Sequence, residues 1–353
     1  MIVSFRVDAG AGIGNGHLMR CLTLADALSE RGAISSFIFE EGVKVELDRA
    51  SAKGHAVLEI SARGRAGEQW SESGDASQTL KSLSDAGIVP DWLVVDHYRI
   101  GREWEGQVRQ AARRLLVIDD LANRRHNCDL LVDPTFAQTE ARYRDLLPEG
   151  CRRLCGSEYA LLRPQFRKMR QDLGRSLPTA QEMCVHVFFG SSDSENHTLR
   201  YCRLLLRQFK SLRVRAAVGH GYPHRALLQE LSSEAGERFL WAAGISDMAA
   251  HMAGCDVAVG APGGTTWERA CVGLPAAYLA VSANQSAILE QLQIAGLCAY
   301  FGMASELGDE EFLTAIEGFL ADIPRLREMR IIGMNAIDGI GAERVARVLE
   351  QML

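Results

Sequence analysis

Short apolar runs alternate with segments of helical periodicity in the first half of the chain. The apolar run Ile2–Val7 ends at a Gly-rich stretch, and apolar residues then recur at helical spacing over Leu18–Leu28. The same pattern predicts further strands at Ser35–Phe39, His55–Ile60, Trp92–Asp96, Leu115–Asp119 and Leu130–Asp133. Helices are predicted at Val43–Ala50 and around Trp104 and Val108, and the polar residues 61–78 predict a loop. This alternation is typical of a parallel α/β sheet.

A second α/β series follows a charged segment, 163–181, which we interpret as a linker with a short helix. Strands are predicted at Cys184–Phe189, Val214–Val218, Phe239–Trp241, Asp256–Gly260 and Ala276–Ala280, and helices from Thr198, over Asp247–Ala253, over 284–296 and over 335–353. We therefore predict two Rossmann-like, doubly wound domains, 1–163 and 182–334. The final helix, 335–353, could pack back on the first domain, which the sequence alone does not decide. Such halves bind ligands at the carboxyl ends of their strands, and we expect the ligand in a cleft between them.

Composition excludes several classes of protein. The net charge of -6 argues against a nucleic-acid binder, and the longest apolar runs are too short to span a bilayer. The nine cysteines include one tight pair, Cys151 and Cys155, so neither a zinc site nor a disulfide framework is predicted. The first residues resemble a strand and not a signal peptide. We expect a cytoplasmic monomer with reduced thiols, no cofactor and no metal.

The Gly-rich stretch Gly10–Gly16 joins the first strand to the first helix and is followed by His17. Its small residues let a backbone approach a ligand closely. It resembles a dinucleotide fingerprint but lacks the third glycine, which disfavours a nicotinamide cofactor. The positive end of a helix dipole favours neutral imidazole, so His17 could act as a base; it could equally cap or pack at the helix end.

A second Gly-rich turn, Gly260–Glu268, follows a buried strand in the second half. The amides of Gly264, Thr265 and Thr266 would be the unpaired donors of a helix start, which suit a phosphate. Glu268 would then accept hydrogen bonds from a ribose diol. The alternative is a capping box in which Thr265 is the N-cap and Glu268 completes it.

Two weaker candidates lie at other strand ends of the second half. Gly190, Ser191 and Ser192 form a turn of small residues that could contact a diphosphate, or could be a simple turn. Asn284 and Gln285 could bond phosphate or sugar hydroxyls, or could cap a helix.

Carboxylates and a histidine end two neighbouring strands of the first half. Asp96, His97 and Tyr98 follow one strand, and Asp119 and Asp120 end the next. They could form a metal site, which would make the protein a metal-dependent phosphohydrolase, or they could cap strands and shape a ligand site. Nearby basic residues look like solvated charge: Arg113, Arg114, Arg124 and Arg125.

Six segments in order resemble one enzyme family. They are DAGAGIGNGHLMRCLTLADAL, VVDHYRIGREWE, VIDDLANRRHNCDLLVDP, GSEYALLRPQF, FFGSSDSEN and GAPGGTTWERACVGLPAAYLAVSANQ, and they cover most of residues 1–290. The chain resembles the UDP-2,4-diacetamido-2,4,6-trideoxy-β-L-altropyranose hydrolases of pseudaminic acid biosynthesis. That family is similar in fold to the MurG-like glycosyltransferases of GT-B architecture.

The resemblance implies a metal-independent hydrolase in which water attacks the anomeric carbon with inversion and UDP departs. It implies that His17 is the general base, that the Gly-Gly-Thr-Thr helix start holds the diphosphate and that Glu268 holds the ribose. We expect the sugar side to be formed by Gly14, Asn15, Gly16, Arg20, Asp96, His97 and Tyr98. The expected UDP side comprises Gly190, Ser191, Ser192, Gly263, Gly264, Thr265, Thr266, Glu268, Asn284 and Gln285.

The sequence departs from the family pattern at two places on the nucleotide side. The turn GSSDSEN stands where a sequence closer to GGSDPEN is expected, and Pro262 precedes the Gly-Gly pair where a smaller residue is usual. Three alternatives to the hydrolase stay open at this point. They are a glycosyltransferase with an organic acceptor, a non-catalytic UDP-sugar binding protein, and the metal-dependent hydrolase.

Overall fold

The computed structural model describes residues 1–9, 16–61, 70–136, 140–170, 177–180 and 182–353. The chain divides into two compact units. The first comprises Met1–Leu162 together with Ile340–Leu353, and the second comprises Arg163–Gly339.

The first unit is built on a parallel sheet. Its strands are β1 (Ile2–Val7), β2 (Ile34–Glu40), β3 (Ala56–Ile60), β4 (Trp92–Asp96), β5 (Arg114–Ile118), β6 (Leu130–Asp133) and β7 (Arg152–Cys155). Among the described residues, these seven strands pair in the order β3-β2-β1-β4-β5-β6-β7. The order reverses between β1 and β4, where Phe5 pairs with Phe37 on one side and Val94 on the other. The connections leave that point in opposite directions, which opens a crevice at the carboxyl ends of the two strands.

Helices cover both faces of this sheet. They are α1 (Gly16–Ser29), α2 (Lys44–Ala52), α3 (Glu72–Asp85) and α4 (Arg102–Val108). Leu22 of α1 packs with Val3 and Phe5 on one face. On the other face, Trp104 of α4 packs with Leu93. Because both faces are buried, the strands read as apolar runs.

The second unit repeats the same winding. Its strands are β8 (Cys184–Phe188), β9 (Arg213–Val218), β10 (Phe239–Ala243), β11 (Val257–Gly260), β12 (Ala276–Ala280) and β13 (Ala299–Met303). Within the described ranges these six strands are parallel and ordered β10-β9-β8-β11-β12-β13. The helices are α5 (Pro164–Lys168), α6 (His197–Gln208), α7 (Arg225–Ala235), α8 (Met248–Ala253), α9 (Gly264–Val272), α10 (Ser286–Ile294), α11 (Asp309–Ala321) and α12 (Ile323–Ala336). The reversal of strand order falls between β8 and β11.

The last helix, α13 (Gly341–Gln351), belongs to the first unit. Val345 and Leu349 join the cluster that contains Phe5. None of the described helices is both long and apolar enough to cross a membrane.

Two predicted elements are wrong in their bounds. The predicted loop 61–78 contains the first half of α3, whose start is capped by Ser71, which accepts a hydrogen bond from the amide of Gly74 at 3.1 Å. The predicted helix 335–353 is interrupted, because α12 ends at Ala336 and Gly339 adopts a φ of 82° before α13 begins. Polar helix starts and short breaks are weakly marked in a hydrophobic pattern.

Candidate active site

The carboxyl end of β4 brings together four of the residues predicted for the sugar side, which are His17, Arg20, Asp96 and Tyr98. His17 is the second residue of α1, directly after Gly16, and Asp96 is the last residue of β4. The predicted residues Gly14 and Asn15 lie outside the described residues. The switch in strand order therefore brings together two side chains that are 79 positions apart.

His17 and Asp96 form the central contact of this site. Nδ1 of His17 lies 2.5 Å from Oδ1 of Asp96, and both side chains are buried. An ionised carboxylate only accepts hydrogen bonds, so we assign the ring proton to Nδ1. Nε2 then keeps its lone pair. This is the arrangement by which a carboxylate orients an imidazole base.

Arg20, one turn further along α1, binds the same carboxylate. Its Nε lies 2.6 Å from Oδ2 of Asp96 and its Nη2 lies 2.6 Å from Oδ1, while Nη1 lies 2.9 Å from Oδ2 of Asp120. Burial alone would raise the pKa of Asp96, but the Arg20 guanidinium and the His17 ring hold it well below its usual range. Asp96 is therefore ionised, and most of the donor capacity of Arg20 is used within the protein.

Tyr98 is the part of this group that reaches solvent most. Its ring packs edge-on against His17 with the centroids 4.5 Å apart, and the residue is 42% exposed. Burial of the hydroxyl, together with the Asp120 carboxylate, raises the pKa of Tyr98. The hydroxyl is therefore protonated at neutral pH and hydrogen-bonds to the Asp120 carboxylate beside His17.

His97 is enclosed by protein. The amide of Arg99 donates to its Nδ1 at 3.1 Å, so the ring proton lies on Nε2, 3.4 Å from Oδ1 of Asp8. The Trp70 ring stacks on it with a centroid distance of 5.8 Å. Burial lowers the pKa of His97 well below its usual value and raises that of Asp8. His97 thus packs as a neutral ring beneath the strand ends.

The Asp119 carboxylate bonds to residues outside the group around His17. Arg124 Nη1 donates to its Oδ1 at 2.7 Å, and the Tyr143 hydroxyl donates to its Oδ2 at 2.9 Å. Arg124 also donates to the carbonyl oxygen of His97 at 3.0 Å, so its prediction as a solvated charge is wrong. Arginines already neutralise Asp96 and Asp119. Among the described residues, no three His, Cys, Asp or Glu side chains converge as metal ligands.

The second unit places its Gly-rich turns at the corresponding switch point. A Cβ on Gly260 would overlap the carbonyl oxygen of Phe188, so only glycine lets β11 end this close to β8. Helix α9 begins at Gly264 with Gly263 as its N-cap, and Gly263 has a φ of 133°. The alternative in which Thr265 caps the helix with Glu268 is therefore wrong.

Thr266 makes the reciprocal contacts at this helix start. Its Oγ1 accepts from the amide of Gly263 at 3.2 Å, and its own amide donates to the carbonyl oxygen of Gly263 at 2.9 Å. The prediction that the Thr266 amide is unpaired is thus also wrong. The amides of Gly264 and Thr265 belong to the first turn, which has no carbonyl partner inside the helix.

Glu268 lies one turn into α9. Its Oε1 is 3.7 Å from a guanidinium nitrogen of Arg163, which also donates to the carbonyl oxygen of Ser246 at 2.9 Å. Burial raises the pKa of Glu268. A carboxylate held this loosely keeps acceptor capacity for a ligand.

The other predicted UDP-side residues occupy turns. Gly190 (φ 98°), Ser191 and Ser192 precede Asp193, whose carboxylate accepts from the amides of His197 and Thr198 at 2.9 Å each and so caps α6. Asn284 accepts from the Ser282 hydroxyl at 2.6 Å, and Gln285 Oε1 accepts from the Val281 amide at 2.9 Å. Both amide oxygens thus stabilise the turn before α10.

The link from Arg20 to Asp120 was not expected from the sequence, which placed Arg20 on the sugar. The sequence does indicate that Arg20 lies near His17, because the two residues are three positions apart and hence on one face of α1. The partners at the strand ends could not be identified without the strand order.

No protein-family model matches the chain. It is 21% identical over 283 residues, 79% of its length, to the uncharacterized protein MJ1062 of Methanocaldococcus jannaschii. It is 22% identical over 201 residues, 56% of its length, to the spore coat polysaccharide biosynthesis protein SpsG of Bacillus subtilis. It is 28% identical over 167 residues, 47% of its length, to the UDP-2,4-diacetamido-2,4,6-trideoxy-β-L-altropyranose hydrolase of Campylobacter jejuni. The matches span 53–58% of the lengths of these relatives.

Solved structures resemble the chain over almost its whole length. MurG of Acinetobacter baumannii matches with a TM-score of 0.68 at 15% identity, over 99% of both chains. The chain has a GT-B fold. The spinosyn forosaminyltransferase SpnP matches with a TM-score of 0.66 at 12% identity, over 100% of this chain and 99% of that one. The UDP-GlcNAc 2-epimerase of Neisseria meningitidis, bound to UDP-GlcNAc, matches with a TM-score of 0.64 at 12% identity, over 99% of both chains. The predicted fold class, two Rossmann-like doubly wound α/β halves, is confirmed.

Proposed function

We propose that the protein is a nucleotide-sugar hydrolase that cleaves a UDP-sugar into UDP and a free sugar, with His17 as its general base. The observation that carries the proposal is the buried contact between Nδ1 of His17 and Asp96, 2.5 Å long, at the switch point of the first sheet. The contact leaves Nε2 as the basic nitrogen. General-base help of this kind is worth roughly 10²–10⁴-fold in rate.

The proposed reaction balances without another reactant. A water oxygen bonds to the anomeric carbon while its proton passes to Nε2 of His17. The bond from that carbon to the diphosphate oxygen breaks, and its electron pair leaves with UDP. The attack inverts the anomeric centre, and the proton on His17 returns to solvent.

In this proposal the second unit binds UDP. The amides of Gly264 and Thr265 receive diphosphate oxygens, and Glu268 accepts from the ribose hydroxyls. Negative charge that develops on the leaving diphosphate is offset by fixed donors at a helix start. Gly190–Ser192, Asn284 and Gln285 are proposed as further UDP contacts.

The proposed substrate is UDP-2,4-diacetamido-2,4,6-trideoxy-β-L-altrose, an intermediate of pseudaminic acid biosynthesis. The six segments that resemble this hydrolase family support it, as does the similarity to the Campylobacter jejuni hydrolase of that name. Tyr98, whose ring packs against His17 and is partly exposed, is proposed to contact the sugar. We propose that the enzyme acts in the cytoplasm.

A glycosyltransferase is the second candidate, because the fold likenesses to MurG and SpnP favour it. The same base would then deprotonate an acceptor hydroxyl instead of water. The substrate and bond cleaved are shared, so turnover in water without an acceptor separates the two candidates.

A proton NMR time course with this UDP-sugar tests the hydrolase directly. The wild-type protein should release UDP and one anomer of the free sugar, at the same rate with and without a chelator. No release without an added acceptor would favour the glycosyltransferase, and loss of activity on chelation would favour the metal-dependent reaction.

Two variants separate the base from the nucleotide site. His17→Asn should lower kcat by at least about a hundredfold and leave the Kd for UDP within about twofold, because the base acts only on water. Glu268→Ala should instead weaken UDP binding by about tenfold, through lost ribose hydrogen bonds. Calorimetric titration with UDP and the NMR assay measure the two effects. Full activity of His17→Asn would refute the base assignment.

A further inference from the structure

Nδ1 of His17 lies next to one hydrogen-bond acceptor and one hydrogen-bond donor. Oδ1 of Asp96, at 2.5 Å, accepts a hydrogen bond from Nδ1–H, whereas Nη2 of Arg20, at 3.3 Å, can only donate one to Nδ1. The nearer neighbour decides where the ring proton lies. At present that neighbour is Asp96.

The position of the ring proton decides whether His17 can act as a base. With the proton on Nδ1, the lone pair of Nε2 can receive a proton from water. If Arg20 donated to Nδ1 instead, the ring proton would move to Nε2 and the ring would have no acceptor left for catalysis. A wrong tautomer of this kind removes base catalysis even where the ring keeps its place.

Asp120 holds Arg20 in the arrangement that favours Asp96. Its Oδ2 takes Nη1 of Arg20 at 2.9 Å, while Nε and Nη2 lie on the two oxygens of Asp96. The backbone of Asp120 is fixed in turn, because Arg142 donates to its carbonyl oxygen at 3.3 Å and to that of Leu121 at 3.0 Å. The guanidinium is thus held by two carboxylates.

We propose that Asp120 is a positioning residue that sets the tautomer of His17 by keeping Arg20 paired with Asp96. Without the Asp120 carboxylate, Nη1 loses its partner and the guanidinium can turn toward Nδ1. The inference rests on the proposed role of His17 as the base, and it assigns Arg20 to the same positioning role.

The tautomer of His17 can be measured without any substrate. The full chain is labelled with ¹⁵N in its histidines, and long-range proton–nitrogen NMR correlation shows which ring nitrogen carries the proton. His17→Gln identifies the His17 signals by their loss. At mildly alkaline pH the wild type should show the proton on Nδ1. Asp120→Ala should show a substantial population with the proton on Nε2, and Asp120→Asn a smaller one, because its amide oxygen accepts from Nη1 without a charge.

The kinetic effect should follow the tautomer. Asp120→Ala should lower kcat by about tenfold in proportion to the loss of the Nδ1 tautomer, whereas KM also reports the Tyr98 hydroxyl, which hydrogen-bonds to Asp120. Glu350→Gln is the matched control, because it removes one carboxylate from an exposed pair with Arg31 in the same unit. It should change neither the tautomer nor kcat.

The outcomes separate this inference from the proposed function. If the Asp120 variants keep only the proton on Nδ1, the inference is overturned whatever the activity. Asp120→Asn, which preserves the side-chain shape, decides the question should Asp120→Ala fail to fold. If the tautomer shifts while His17→Asn keeps full activity, the positioning role stands and the proposed reaction fails.

Discussion

At the scale of single residues, the buried pair of Arg6 and Asp75 supports the side of the sheet that carries the site. Arg6 Nε and Nη2 donate to the two carboxylate oxygens at 3.0 and 2.5 Å. The indole nitrogens of Trp104 and Trp70 donate to the same oxygens at 2.8 and 3.3 Å. Trp70 is thereby held where it stacks on His97. Every acceptor of the carboxylate is used, as burial of a charge requires.

We predict that Asp75→Ala lowers the free energy of unfolding by about 3–5 kcal/mol, because it leaves the Arg6 charge buried without a partner. Urea denaturation measures the change. Asp85→Ala, which removes an exposed pair with Lys81 on the same helix, should cost less than about 0.5 kcal/mol. Equal costs for the two variants would contradict the prediction.

The same pair has a pH dependence with a definite sign. Burial raises the pKa of Asp75, but Arg6 and the two indoles outweigh it and lower the pKa below its usual 3.8. The stabilisation is therefore complete well above pH 3.8 and is lost as the pH falls through the lowered pKa.

At the scale of elements, the start of α9 shows how a short sequence can support more than one local structure. The motif Thr-x-x-Glu at 265–268 predicts a capping box with Thr265 as the N-cap, yet the N-cap is Gly263, two residues earlier. Gly263 adopts a φ of 133°, which lets Thr266 and not Glu268 accept from the amide of the N-cap residue. The side chain of Glu268 is thereby left out of the cap.

We predict that Thr266→Val lowers the free energy of unfolding by about 1 kcal/mol, because the amide of Gly263 loses its acceptor. Thermal or urea unfolding monitors the loss. Thr265→Val is the matched control, since Thr265 makes no capping bond in the described structure, and it should have little effect. A larger loss for Thr265→Val would restore the original capping assignment.

At the scale of the whole molecule, the end of the chain stabilises the unit formed by its beginning. Leu349 of α13 is fully buried with Phe5, and its carbonyl oxygen accepts from the indole nitrogen of Trp92 at 3.2 Å. Glu350 of the same helix forms an exposed pair with Arg31, which follows α1. The first unit therefore needs residues from both ends of the chain to complete its core.

We predict that Leu349→Ala destabilises the first unit by about 2–5 kcal/mol through the cavity it leaves. Hydrogen exchange followed by mass spectrometry should show faster exchange in β1 and α1, with β8 and β11 unchanged. Glu350→Gln should leave the hydrogen-exchange rates of both units unchanged. Uniformly faster exchange in both units would show that they unfold together.

The sequence by itself determined the fold class and the strands other than β7 and β13, because burial on both faces of a parallel sheet imposes apolar runs that can be read locally. It also marked His17, because it follows a Gly-rich stretch at a helix start, and Asp96 and Asp120, because they end or follow apolar runs. Only the tertiary structure decided which of them meet. Strands β1, β4 and β5 are distant in sequence and adjacent in the sheet, so the chain of contacts from His17 through Asp96 and Arg20 to Asp120 depends on strand order, which no local pattern encodes.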